Sequence, residues 1–196
     1  MTSRPLYGLV LAGGESRRMG RDKALLDRDG ETLLAYAMNV VGSCVDRVFV
    51  STRAEQGDDE ERARFDRIVD RYDSLGPVAG ILSALDTWPE VDWLVVACDL
   101  PNISASTLKY LVQQCDGQHP FTAYTSAYDG LPEPLCAIYR HGCGDIIRSF
   151  VDAGINCPRK ILIRSETRLL EQPDPKSLDN VNTPEDLQAS VLRATR

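Results

Sequence analysis

Short unbroken apolar runs alternate along this chain with stretches in which apolar residues return every third or fourth position. Leu6 to Val10 and Trp93 to Ala97 are continuous apolar segments of the kind expected for strands buried on both faces. Val48, Phe49 and Val50 form a shorter strand, and Ile68 and Val69 form another that ends at Asp70. Leu33, Tyr36, Ala37, Val40 and Val41 fall at i, i+3, i+4, i+7 and i+8, which predicts a helix over Thr32 to Val41 with one apolar face. Gly76-Pro77 opens a second, apolar helix from Val78 to Leu85. Ser104 is the expected cap of a third, carrying Leu108, Leu111, Val112 and Cys115. The acidic run Asp58 to Glu61 is expected to open a polar, solvated helix.

Beyond residue 115 the pattern is less regular. Phe121 to Thr125 and Leu135 to Tyr139 are expected strands separated by the turn-rich YDGLPEP, and Asp145 to Ala153 is an expected helix. Thr167 to Leu170 is a further expected strand. Thr183-Pro184-Glu185 opens a last helix with Leu187 and Val191 facing inward. Alternation of the two patterns from end to end predicts an α/β fold with a mainly parallel central sheet.

A chain of 196 residues, 43% hydrophobic and 26% charged, suits a single domain with one well-filled core. The formal net charge of -7 leaves no broad cationic face for DNA or RNA, so no nucleic-acid partner is expected. MTSRPLYGLV lacks the pattern of a secretory signal, and no apolar run is long enough to span a bilayer, so no membrane partner and a cytoplasmic location are expected. The six cysteines contain no C-x-x-C and are expected to be reduced packing residues. His141 and Cys143 are a close pair of soft ligands, but a zinc site is not expected with His119 as the one other histidine.

Charge density rises locally between Leu11 and Lys23, LAGGESRRMGRDK, where three glycines, three arginines and a lysine follow the first strand. Adjacent Gly13 and Gly14 allow positive φ and a close approach of backbone N–H groups to a ligand. Arg17, Arg18, Arg21 and Lys23 add the cations that phosphates require. A glycine-rich loop after an N-terminal buried strand is where α/β folds hold phosphates. The spacing is neither a dinucleotide fingerprint nor a Walker loop, because Arg21 and Asp22 follow Gly20. Asp99 closes the WLVVA strand on the same expected edge. One carboxylate at a strand tip, together with substrate phosphates, suffices to hold magnesium.

Five segments then carry a resemblance: LAGGESRRMGRDKALL at Leu11 to Leu26, GPVAGILSAL at Gly76 to Leu85, VVACDLP at Val95 to Pro101, EPLCAIY at Glu133 to Tyr139 and DNVNTPEDL at Asp179 to Leu187. In this order they resemble the molybdenum cofactor guanylyltransferases of the MobA type, nucleotidyltransferases of three-layer Rossmann-like, GT-A-like architecture. The resemblance implies transfer of GMP from GTP to the molybdopterin form of the molybdenum cofactor, with release of pyrophosphate and use of Mg²⁺. It places Leu11, Ala12 and Gly13 against GTP through the backbone, Lys23 on its phosphates, Asp70 on the nucleoside and Asp99 on the magnesium. Gly80 belongs to the nucleotide-binding set by the same likeness. By the same likeness the LAGG segment that ends at Gly14 bears on base choice: the cytidylyl members are similar but carry LAAG, a difference that falls at Gly13. Asn180 and Asn182 lie toward the pterin or the phosphates, and Ser51 stands where relatives often carry Asn.

The chemistry this implies needs no general base, because a terminal phosphate on the acceptor is already an anion. It needs charge neutralisation and in-line placement, expected from Lys23, Arg17 or Arg18, and a metal on Asp99. Residues 1–115 are the expected nucleotide-binding half and 116–196 the acceptor-side half. The same loop would serve an enzyme with another phosphorylated acceptor, such as a sugar 1-phosphate, or a GTP-binding adaptor without catalysis. Molybdoenzymes and cofactor-delivering proteins are further partners that the resemblance leaves open.

Overall fold

The computed structural model describes residues 4–13, 22–56, 58–181 and 186. Its elements, in chain order, are β1 (Leu6–Leu11), a small antiparallel hairpin of β2 (Asp27–Arg28) and β3 (Glu31–Thr32), α1 (Leu33–Gly42), β4 (Arg47–Thr52), β5 (Arg67–Val69), α2 (Pro77–Thr87) and β6 (Asp92–Ala97). There follow α3 (Ala105–Gln114), β7 (Phe121–Thr125), β8 (Pro132–Tyr139), α4 (Cys143–Asp152), α5 (Pro158–Ile163) and β9 (Thr167–Leu170). The last expected helix, from Thr183, and with it Asn182, lies outside the described residues apart from Asp186.

Seven strands form a sheet in the order β5-β4-β1-β6-β8-β7-β9. β1 pairs in parallel with β4 and β6, and β4 pairs in parallel with β5. β8 is antiparallel to both β6 and β7, while β9 returns to a parallel pairing with β7. The mainly parallel sheet is therefore as expected, with β8 reversed.

Alternation along the central strands explains the two helical layers. Val10, Val50, Leu94 and Val96 point to one face, where they pack with Leu34, Met38 and Val41 of α1 and Leu108 and Leu111 of α3. Leu9, Phe49, Trp93 and Val95 point to the other, against Ile81 and Leu82 of α2, Ile147 of α4 and Ile161 and Leu162 of α5. Strands covered on both faces must be apolar at every position, hence the unbroken runs. Thr32 and Ser104 cap α1 and α3 by accepting the Ala35 and Thr107 N–H groups.

Three local expectations need correction. Asp58 to Glu61 opens no α-helix; the segment makes one 3-10 turn, Arg62–Arg64, which stops at Phe65, already extended at φ -122° and ψ 157°, as the chain enters β5. The run is also not simply solvated, since Glu61 accepts from Thr32 and Arg64. Among the cysteines, all free, Cys98, Cys136 and Cys143 are buried packing residues, whereas Cys157 is exposed. His141 uses its backbone N–H and ring Nδ1 on Asp92.

Gly8 sits where α1 crosses β1. A methyl group there would collide with Val41 and come within 3.2 Å of both Val45 and Val48. Gly8→Ala is expected to destabilise the protein by about 1–3 kcal/mol through overpacking, measured as a lower denaturant midpoint; an unchanged midpoint would contradict this packing.

Candidate active site

Parallel pairing of β1 with its neighbours brings the carboxyl ends of β1, β4, β5 and β6 to one edge of the sheet. A cleft of about 990 Å³ opens there, large enough for a nucleotide-sized ligand. Leu11, Ala12, Gly13 and Lys23 line it from the first strand and the turn that follows. Asp70, Gly80 and Asp99 line it from β5, α2 and β6. These seven residues, expected to act together, are thus brought together. Asn180 is exposed and does not line the cleft, although the next residue, Val181, donates its N–H to the Asp99 carbonyl at 3.0 Å. Gly14, Arg17, Arg18, Arg21 and Asn182 lie outside the described residues.

Lys23 faces Asp99, with Nζ 3.8 Å from Oδ2 and both side chains about a quarter exposed. Asp22 starts the 3-10 turn Lys23–Leu25 by accepting the Ala24 N–H at 3.0 Å, which sets where Lys23 begins. Burial pushes the Asp99 carboxyl above the ordinary carboxylate range, and Lys23 opposes that shift. Cys98 beside it is a thiol, not a nucleophilic thiolate, because burial and then the Asp99 and Asp22 charges push it up to about 12.

On the other side of the cleft Ser51 donates to Asp70 Oδ1 at 2.7 Å. Burial raises the Asp70 carboxyl, with Ser51 and Arg53 opposing. A Cβ on Gly13 would lie 3.6 Å from Asp70 Oδ2 and 3.5 Å from Arg53 Cγ, so the glycine keeps this corner open. Gly80 has a different reason. A methyl group there would collide with Ser51 Oγ and stand 3.0 Å from Leu11 Cδ2, so Gly80 lets α2 close on β1 and β4 and leaves the Ser51–Asp70 bond intact. Gly76 and Pro77 put the N-terminus of α2 at the cleft, where its dipole favours an anion.

Two groups were missed by sequence reasoning. Arg53 and Leu135 line the cleft, Leu135 from the reversed strand. Arg62 lies just behind, fully buried, bonded to the Ala12 carbonyl at 2.6 Å and to Asp22 at 2.7 Å. Nothing in the run EERAR distinguishes it from a solvated basic residue.

Among the described residues no group of three or more His, Cys, Asp or Glu could hold a metal ion. A divalent ion nevertheless fits at Asp99, whose carboxylate faces the cleft and is disfavoured in its charged form by burial. Phosphate oxygens and water would complete the coordination. Among the described residues no helix is long and apolar enough to cross a membrane.

Strand ends, glycine corner, lysine and aspartate together make a nucleotide-sized site at one edge of an α/β sheet. The chain belongs to the MobA-like NTP transferase domain family, which matches residues 8–169. It is 37% identical over 182 residues to a molybdenum cofactor biosynthesis bifunctional protein of Synechocystis, covering 93% of this chain and 52% of that one, so the chain spans about half the length of that relative. It is 32% identical over 184 residues to a probable molybdenum cofactor guanylyltransferase of Nostoc, covering 93% of this chain and 88% of that one. The fold matches the crystal structure of molybdopterin-guanine dinucleotide biosynthesis protein A from Archaeoglobus fulgidus with a TM-score of 0.79 at 23% identity, over 96% of this chain and 98% of that one.

The raised Asp99 carboxyl has a sign that can be checked. A carboxyl whose folded value exceeds its unfolded value, ordinarily 3.8, binds more protons folded than unfolded. Stability from this group is complete below that value and falls as pH rises through the folded value. Asp99→Asn, with no charge to bury, is expected to melt no lower than wild type at neutral pH without ligands, the difference closing toward acid. A variant clearly less stable at neutral pH would mean that the Lys23 pair outweighs the burial.

Proposed function

We propose that this chain transfers GMP from GTP to the molybdopterin form of the molybdenum cofactor, releasing pyrophosphate. The observation that carries the proposal is the facing pair Lys23 and Asp99 in a nucleotide-sized cleft at the strand ends. The names of the Synechocystis and Nostoc relatives support the choice of acceptor and nucleotide.

In this reading the backbone of Leu11, Ala12 and Gly13 receives GTP, the Gly13-Gly14 pair favours guanine, and Asp70 holds the nucleoside. Gly80 acts by letting α2 approach. Lys23, with Arg17, offsets the charge that builds on the departing pyrophosphate. Asp99 is the protein ligand of Mg²⁺, an ion that supplies Lewis-acid neutralisation of phosphate charge when bound. A terminal phosphate oxygen of the acceptor forms the new bond to the α-phosphorus as the bond to the β-phosphate bridging oxygen breaks, and the electron pair leaves with pyrophosphate. No proton need be removed from the attacking oxygen. Residues 1–115 form the nucleotide-binding half, while residues 116–196, reaching the cleft through Leu135 and including Asn180 and Asn182, form the acceptor side. The reaction belongs to the cytoplasm, and molybdoenzymes or cofactor-delivering proteins would take the product.

Pyrophosphate release with each of the four nucleotides, with and without molybdopterin-bound molybdenum, tests the reading. Release is expected with GTP only when the acceptor is present, and Lys23→Ala is expected to lower the rate by about a hundredfold to a thousandfold. Preference for CTP, or for hexose 1-phosphates as acceptors, would refute it. GTP binding with no release under any acceptor would identify a non-catalytic adaptor.

A further inference from the structure

We infer that Arg62 is a positioning residue for the nucleotide site: one buried guanidinium ties Ala12 to Asp22 and thereby sets both the backbone strip beside the cleft and the turn that presents Lys23. The inference concerns geometry and rests on the proposed function only for the identity of the ligand.

The Arg62 side chain has no exposed surface. Its NH2 group donates to the carbonyl of Ala12 at 2.6 Å and to Oδ2 of Asp22 at 2.7 Å. Its NH1 group lies 3.1 Å from Oδ2 of Asp59, which holds the arginine's own turn in place. Ala12 and Asp22 are residues that bracket the glycine- and arginine-rich stretch in the sequence. Asp22 divides its carboxylate, one oxygen on Arg62 and the other on the Ala24 N–H at 3.0 Å. The Leu25 N–H bonds the Asp22 carbonyl at 3.1 Å and the Leu26 N–H bonds the Lys23 carbonyl at 3.1 Å. A shift of Asp22 therefore moves the start of the turn, and with it the lysine that faces Asp99. On the other arm, the pinned Ala12 carbonyl lies between Leu11 and Gly13, both of which line the cleft.

Stability alone is a poor account of this arrangement. Burying an arginine between carboxylates carries a desolvation penalty that well-packed apolar side chains of similar volume avoid. Nε and NH1 of Arg62 are buried with no hydrogen-bond partner among the described residues, NH1 meeting Asp59 as an ion pair, so the penalty is incompletely offset. What an apolar filler lacks is a planar fork that fixes a carbonyl and a carboxylate at set angles. Both partners lie far away in sequence, 50 residues for Ala12 and 40 for Asp22. Among the described residues no backbone hydrogen bond joins Ala12 to the turn at Asp22.

The test uses the full chain carrying Asp22→Asn or Arg62→Lys, with Asp92→Asn as the reference, which removes a charge bonded to His141 at the opposite end of β6 and touches neither tie. Three quantities are read: thermal midpoint, hydrogen exchange at the Ala24 and Leu25 amides without nucleotide, and the dissociation constant for GTP with Mg²⁺. Asp22→Asn and Arg62→Lys are expected to speed exchange at those two amides beyond any change in the β1 amides, and to weaken GTP by about ten- to a hundredfold. Asp92→Asn is expected to lower the midpoint while leaving GTP affinity and local exchange as in wild type. The proposal is overturned if all three variants lose affinity in step with stability, or if Asp22→Asn and Arg62→Lys bind and exchange like wild type. Should Asp22→Asn fail to fold, Arg62→Lys decides. A wild-type chain that bound no GTP would sink the proposed function, while the exchange comparison would still decide the role of Arg62.

Discussion

β1 is hydrogen-bonded in parallel on both sides, and the register of those ladders determines everything at the cleft. Leu11 stands opposite Ser51 of β4 and opposite Ala97 of β6. The residues that follow, Ala12-Gly13, Thr52-Arg53 and Cys98-Asp99, therefore leave the sheet at one level. β5 adds to the same edge because Thr52 pairs with Val69 and the Asp70 N–H bonds the Thr52 carbonyl at 2.8 Å. A slip of one residue in any of these ladders would send the carboxylates to a different depth and exchange the side chains that meet the two helical layers.

That geometry sets the electrostatics. Two carboxylates, Asp70 and Asp99, are carried on a buried framework and are raised by desolvation. The nearby cations, Lys23 and Arg53, oppose those shifts without cancelling them. Burial thus leaves both carboxylates short of compensating charge, which a cation bound beside them would supply. The N-terminus of α2 contributes the remaining fixed polarity, and Gly80 permits that helix to come close enough.

Much of this was legible from sequence because strands buried on both faces must be apolar throughout. The runs at Leu6–Leu11 and Asp92–Ala97, the helical period of α1 and the caps at Thr32 and Ser104 each leave a local mark. Gly13, Lys23 and Asp99 were legible for a related reason, since each follows directly from a strand end or a glycine-rich turn. The reversal of β8 leaves no mark, because a buried strand reads the same in either direction. The hairpin of β2 and β3 turns on Asp29 and Gly30, with φ of 54° and 93°, and its strands are too short for any period to show. Arg62 was illegible for the deepest reason: its burial depends on partners 40 and 50 residues away, and charge patterning along the chain carries no long-range pairing.

In the proposed reaction nucleotide and metal meet between Lys23 and Asp99 at the strand ends. Paramagnetic broadening of backbone amide resonances by Mn²⁺ in the presence of GTP tests it most directly. Selective loss of signals from Leu11 to Gly13, Lys23 and Cys98–Asp99 is expected, with Asp116 and His119 unaffected and little effect of the ion without nucleotide. Broadening centred on any other part of the molecule, or none at all with both ligands present, would contradict it.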